Sequence, residues 1–248
     1  MVEIFSSGPV ALYQGDALAV LAGLPAGCVD AVLTDPPYSS GGLTLGERQG
    51  EPAQKYRSTG YKRPFPAMLG DVKDQHSWAR WCTFWLSECW RLCRDGAPLM
   101  VFTDWRQLPA LSDALQGAGW IWRGIVVWGK RVGRPMPGRF RPQCEYILFA
   151  SKGRLDAPSQ ACLPGMYSHV LNHARKLHLA GKPVPLLEDL LAVTKPGATV
   201  LDPFMGAASV GEACVATGRS YMGIELSPEY YAISRERLAG LTAGPGED

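Results

Sequence analysis

Asp35-Pro36-Pro37-Tyr38 packs an unusual concentration of hydrogen-bond acceptors into four residues. The tetrapeptide follows the apolar run Val29 to Thr34, which reads as a buried strand. Open α/β sheets place their ligands beyond the carboxyl ends of such strands. Two prolines stiffen the turn and remove two backbone donors. What remains is the Asp35 carboxylate and the Pro36 carbonyl beside the Tyr38 ring. Such a corner can accept both protons of a planar exocyclic amine while the attached ring stacks on Tyr38. An amine conjugated to an aromatic base is a poor nucleophile. Drawing its two protons into hydrogen bonds localises the nitrogen lone pair, which can then point at an electrophile. The same four residues also read as a plain Pro–Pro turn with a capping Asp.

A second constellation lies far along the chain. Val200-Leu201-Asp202-Pro203-Phe204-Met205-Gly206-Ala207-Ala208-Ser209 reads as a strand, a turn of small residues and a helix start. That combination forms a nucleotide-like crevice. Gly223-Ile224-Glu225 ends the next strand, and Glu225 follows Asp202 by 23 residues, close to the spacing at which an acid meets ribose hydroxyls. Ordinary strand–helix–strand packing explains the same segment equally well. Asp16, in Gln14-Gly15-Asp16, reads as the N-cap of a helix over Ala17 to Leu24.

The elements that must position these residues alternate. Strands are expected at Val29 to Thr34, Pro98 to Thr103, Ile121 to Trp128, Tyr146 to Ala150, Thr199 to Asp202 and Ser220 to Glu225, all read as buried and parallel. Helices are expected at Ser77 to Arg94, Trp105 to Gly117, Pro185 to Val193, Val210 to Thr217 and Pro228 to Ala239. In the first, Trp78, Trp81, Cys82, Trp85, Leu86, Cys89 and Cys93 recur at helical spacing, an aromatic stripe that reads as core. The alternation predicts an α/β, doubly wound Rossmann-like sheet in one domain over residues 1–248. With 46% hydrophobic and 19% charged residues, the 248-residue chain can bury a large core and is not a disordered or disulfide-scaffold sequence. No apolar run reaches the roughly 18–20 residues of a membrane span.

Two stretches break the alternation. Ser39 to Gly70 is a basic loop of about thirty residues carrying Arg48, Lys55 and Arg57, and loops of that length are often functional. Residues 129–177 read as a second basic loop and a short recognition region. From Arg123 to Arg154 there are eight basic residues and one acid, Glu145. A local field of that sign suits a phosphate backbone. Residues 242–248 read as a frayed tail. Met1 to Val10 lacks the basic and apolar segments of a secretory signal. None of the seven cysteines forms a Cys-x-x-Cys pair, and no cluster has metal-ligand spacing, so neither a metal nor a membrane partner is expected and a reducing cytoplasm fits.

Taken together, DPPY and DPFxG resemble the S-adenosylmethionine-dependent DNA amino-methyltransferases. DPPY precedes DPFxG by about 165 residues, and this order resembles the circularly permuted β class, whose members mostly methylate adenine N6. DPPYSSGG and GRFRPQCEYILFASKG resemble the phage-type and solitary members. The resemblance implies a catalytic corner of Asp35, Pro36, Pro37 and Tyr38. It implies S-adenosylmethionine bound by Asp16, Asp35, Lys182, Asp202, Pro203, Phe204, Gly206 and Glu225. Lys182-Pro183 matches an H-P-x-x-K-P element, although Leu179 replaces its first proline after His178. The implied partners are double-stranded DNA, with the target base flipped out, and a second copy of the chain. Arg48, Lys55, Arg57, Arg134, Arg139, Arg141 and Gln143 are the candidate DNA contacts. The family's usual G-S-G-T is here Gly206-Ala207-Ala208-Ser209. If position 208 requires positive φ, Ala costs about 1 kcal/mol or more; if Gly serves close approach, Ala208 crowds the cofactor. Cytosine-N4 methylation, or a DNA-binding protein that has lost catalysis, remains as an alternative implication.

Overall fold

The computed structural model describes residues 3–39, 73–130, 137–156, 162–170 and 181–242. Nine strands form one sheet: β1 (Glu3–Ser7), β2 (Val10–Gln14), β3 (Ala31–Thr34), β4 (Pro98–Thr103), β5 (Ile121–Gly129), β6 (Cys144–Ser151), β7 (Met166–Ser168), β8 (Thr199–Asp202) and β9 (Ser220–Glu225). Their spatial order is β1-β2-β9-β8-β3-β4-β6-β5-β7. The helices are α1 (Ala17–Gly23), α2 (Gln75–Leu92), α3 (Leu108–Gly117), α4 (Val184–Leu191), α5 (Ser209–Ala216) and α6 (Pro228–Thr242).

Side-chain alternation along the strands creates two cores. Val32, Leu99 and Val101 face one layer with α1, α2 and α3, including Leu21, Trp78, Trp85 and Leu115. Ala31, Leu33, Met100 and Phe102 face the other layer with α4, α5 and α6. This is a sheet covered on both faces, as the alternation predicts. Cys82, Cys89 and Cys93 are free, buried thiols in the first core.

The expectation that all strands run parallel is corrected on one side. β2, β9, β8, β3 and β4 are mutually parallel, but β6 is antiparallel to both β4 and β5. β5 is also largely exposed rather than buried, because it lies near the sheet edge with only β7 beyond it. Its apolar run resembles that of a buried strand, and run composition alone does not reveal strand direction. β1, β2 and β7 have no counterpart among the expected strands, being short and partly polar. Within residues 129–177, the strand expected at Tyr146 to Ala150 is present as β6, between β4 and β5. Most of the 39–70 loop and the 243–248 tail lie outside the described residues. Among the described residues, no helix is long and apolar enough to cross a membrane.

The antiparallel β6 has a useful consequence. Its amino end, at Cys144–Glu145, lies on the same edge as the carboxyl ends of β2, β9, β8, β3, β4 and β5. Winding reverses between β8 and β3: β3 leads outward to β4, while β8 leads the other way to β9. A crevice opens at such a reversal.

Two side chains hold the DPPY corner open at that crevice. The Trp78 indole N–H of α2 donates to the Pro37 carbonyl at 2.7 Å. The Gln107 amide donates to the Tyr38 carbonyl at 2.7 Å. Trp78→Phe strands the Pro37 carbonyl and removes ring volume from the core; unfolding by urea should show a loss of about 2 kcal/mol.

Candidate active site

Asp35 follows the last residue of β3 and is enclosed by side chains. The Tyr38 hydroxyl donates to Asp35 Oδ1 at 2.5 Å. Lys182, just ahead of α4, brings its ammonium to 2.6 Å from Asp35 Oδ2 and 3.1 Å from Glu145 Oε2. Lys130, beyond the end of β5, pairs with Glu145 Oε1. Charge therefore alternates from Asp35 through Lys182 and Glu145 to Lys130. The Lys182 ammonium also lies 5.4 Å from the Tyr38 ring and 5.2 Å from the Phe102 ring, within cation–π reach.

Burial pushes the Asp35 carboxyl above its usual range, and Lys182 opposes this only in part. Burial acts the same way on Glu145, but Lys182 and Lys130 together outweigh it and hold that carboxyl low. Burial disfavours the Lys182 ammonium, yet Asp35 and Glu145 more than compensate and raise its pKa. Burial and the Asp35 charge push Tyr38 well up, so its hydroxyl stays protonated and donates.

The second corner is built around Asp202, at the end of β8. Its carboxylate accepts from Thr34 Oγ1 at 2.7 Å, from the Tyr221 hydroxyl at 3.2 Å and from the Phe204 N–H at 3.2 Å. Burial raises its pKa to about 7. At the end of β9, Glu225 accepts from the Gly206 N–H at 2.9 Å and the Ser227 N–H at 2.8 Å. It too is pushed by burial to about 7. Each Glu225 oxygen keeps acceptor capacity for a ligand.

Ala208 has φ 54° and ψ 44°, the left-handed region, and caps α5. Position 208 therefore does require positive φ, and Ala there costs about 1–2 kcal/mol for the conformation. Burial of its methyl offsets part of this. The turn is held from α6: Ser234 Oγ donates to the Gly206 carbonyl at 2.6 Å, and Arg237 Nη1 to the Ala207 carbonyl at 2.6 Å. Strain of this kind persists where the surroundings over-determine it.

One cavity of about 440 Å³ joins the two corners, a size suited to a small-molecule ligand. Asp16, Asp35, Pro36, Pro37, Tyr38, Lys182, Asp202, Pro203, Phe204, Gly206 and Glu225 all line it, so every residue expected to bind a cofactor or hold the amine is brought together. Asp16 is the N-cap of α1, accepting from the Ala19 N–H at 3.1 Å, and it also lines the cavity. Trp78 and Trp85 are core, as expected. Trp81 departs from that expectation: it lines the cavity, 5.2 Å from the Phe204 ring. Its place near the carboxyl edge of the sheet exposes one side of the stripe.

Of the candidate DNA contacts, Arg139 and Arg141 are exposed and Gln143 is half-buried. Arg48, Lys55, Arg57, Arg134 and His178 lie outside the described residues. Sequence reasoning missed Glu145 and Lys130 as site residues. Their one signal was that Glu145 is the lone acid of the basic stretch. It also missed Phe140, a fully exposed ring between Arg139 and Arg141. Among the described residues, no group of His, Cys, Asp and Glu could hold a metal ion.

The profile of the N6_N4_Mtase family, described as DNA methylase, matches residues 29–236. The putative methylase YubD of Escherichia coli (strain K12) is 32% identical over 230 residues, covering 92% of this chain and 89% of its own length. Among solved structures, PvuII DNA methyltransferase (cytosine-N4-specific) superposes with a TM-score of 0.71 at 16% identity, over 96% of this chain and 92% of that one. TTHA0409 of Thermus thermophilus, complexed with S-adenosyl-L-methionine, gives 0.65 at 23% identity, over 94% and 96%. These two show a shared fold. The extent of the profile match and the identity to YubD go further: the chain belongs to the N6/N4 DNA methylase family.

Proposed function

We propose that this protein transfers a methyl group from S-adenosylmethionine to N6 of an adenine flipped out of double-stranded DNA, on a circularly permuted scaffold of the β class. The observation that carries the reading is the single cavity bounded at one end by the Asp35–Tyr38 corner and at the other by Glu225.

The residues present fit the cofactor. Glu225 is fixed by two backbone N–H groups and keeps lone pairs for two ribose hydroxyls. Trp81 and Phe204 form an apolar wall for a purine ring. TTHA0409, solved with S-adenosyl-L-methionine bound, supports the assignment. When bound, the cofactor supplies an electrophilic sulfonium methyl, and the electron pair of the broken C–S bond stays on sulfur as the N–C bond forms.

The chain's own residues orient and desolvate the amine. Asp35 and the Pro36 carbonyl accept its two protons, and Tyr38 stacks the base. Asp35 then takes up the proton that the methylated nitrogen sheds. Most of the rate comes from positioning and exclusion of water. Base flipping costs a few kcal/mol, partly offset by stacking. Adenine is favoured over cytosine by Asp35, since the cytosine-N4 branch more often carries Ser there. Arg139, Phe140 and Arg141, exposed at the rim formed by β5 and β6, suit phosphate contact and base stacking. Arg48, Lys55, Arg57, Arg134 and Gln143 are assigned to the same grip, shared between two copies of the chain.

Two outcomes test this. Labelled S-adenosylmethionine and unmodified DNA, followed by nucleoside analysis, should yield N6-methyladenine, and Asp35→Ala should lower the rate about 10²–10⁴-fold. N4-methylcytosine would overturn the choice of base. The Glu225 carboxyl, at about 7, must be ionised to accept ribose hydroxyls. Cofactor affinity should therefore rise with pH. Calorimetry should find the wild-type advantage over Glu225→Gln growing about tenfold from pH 6 to pH 8, the effect of one linked proton.

A further inference from the structure

Both Asp35 oxygens are already engaged, Oδ1 by the Tyr38 hydroxyl and Oδ2 by the Lys182 ammonium. An amine that is to donate to this carboxylate meets a competitor at Oδ2. Lys182 cannot simply retreat, because its side chain is only 8% exposed. An ammonium so buried is stable only against a carboxylate.

Glu145 meets that need. Its Oε1 is tied to Lys130, which fixes the carboxylate in place. Its Oε2 is buried and faces Lys182 Nζ at 3.1 Å, a looser approach than the 2.6 Å from that ammonium to Asp35. That oxygen is an open acceptor aimed at the ammonium. Lys182 is thus already shared between the two carboxylates, and an ammonium that moves away from Asp35 stays within reach of this oxygen. The Tyr38 and Phe102 rings flank the ammonium.

Resting on the methyltransferase reading above, we propose that Glu145 is a positioning residue for the transfer: it is the second seat of the Lys182 ammonium, to which Lys182 withdraws as Asp35 Oδ2 is released to the incoming amine. Lys130 keeps that seat ionised and in register. Glu145 touches neither the base nor the methyl group and acts through Lys182.

The titratable groups facing Asp35 are Lys182, Glu145 and the neutral Tyr38, with Asp202 beyond; Glu145 is faced by Lys182 and Lys130, and Tyr38 also by Asp104. Removing the Glu145 charge takes away one influence that raises the Asp35 pKa. It also leaves Lys182 bound to Asp35 alone. The variant Glu145→Gln should thus show an acid limb displaced to lower pH and a lower plateau rate.

The experiment is single-turnover transfer of labelled methyl from S-adenosylmethionine to unmodified genomic DNA, across the pH range. It compares wild type, Glu145→Gln and the charge-balanced Glu145→Gln/Lys130→Met. The double variant guards against misfolding, because it does not leave the Lys130 ammonium without its carboxylate partner. Expected in both variants is a plateau rate lower by about tenfold or more, with cofactor Kd within about twofold of wild type and the acid limb moved down. A double variant with the wild-type rate and acid limb would show that Glu145 only balances charge, and would overturn the proposal. So would a loss of cofactor affinity large enough to account for the whole effect. Wild-type protein that methylates no DNA would instead overturn the underlying reading and this inference with it.

Discussion

The hydrogen bond from Thr34 to Asp202 crosses the point where the sheet reverses its winding. It is 2.7 Å long and buried. Thr34 immediately precedes the Asp35–Tyr38 corner, and Asp202 opens the turn that leads to α5. The same carboxylate also takes the Phe204 N–H inside that turn and the Tyr221 hydroxyl from β9. The end of β3, the turn after β8 and the start of β9 are thereby referenced to one side chain. The two halves of a transfer site must be held in fixed register, and a rigid buried acceptor at the reversal point achieves it. The cost is visible in the Asp202 pKa of about 7. Because this value is raised, the stability contributed by protonated Asp202 is lost as pH rises through about 7. Above that, the three donors hold the corner together.

The first corner solves a different electrostatic problem. On the proposed reading, Asp35 accepts from an amine best when ionised, yet water that would solvate the carboxylate also competes for the amine. Here the solvation is replaced by fixed partners: a phenol that stays protonated and an ammonium shared with a second carboxylate. Buried ion pairs are poor sources of stability, since desolvation consumes much of the attraction. A run of four alternating charges at the sheet edge is better understood through what it does for Asp35. Its construction depends on β6 running antiparallel, which is what delivers Glu145 to the carboxyl edge. The left-handed Ala208 turn follows the same pattern of local cost held in place by neighbours, here Ser234 and Arg237 of α6.

Much of this was legible in the sequence, for identifiable reasons. The Asp35–Tyr38 and Asp202–Gly206 corners and Glu225 could be read because they follow short apolar strands directly, and a strand end fixes its neighbours' position with few degrees of freedom. β4, β8 and β9 were bounded by turn residues and emerged where expected. Asp16 could be read locally as a cap, whereas a place beside a cofactor was implied only by the family resemblance. What escaped was non-local. No run of residues announces that β6 is antiparallel, because direction is set by the connection and not by composition. Glu145 and Lys130 therefore looked like ordinary surface charge. Trp81 was hidden by a helical stripe whose other members are core, and its role follows from where α2 meets the sheet edge. The region around β5 misled most, since a strand near the sheet edge with an uncovered face can be as apolar as a buried one.

The central claim is that a carboxylate-bearing corner at this sheet edge methylates adenine in DNA. The most direct measurement is to express the full chain in a bacterial host lacking adenine methylation and to sequence its genome with modification-sensitive reads. The account predicts N6-methyladenine at one short recurring motif, absent when Asp35→Ala is expressed to the same level. A genome without marks, from a host containing folded protein that binds both S-adenosylmethionine and DNA, would contradict it.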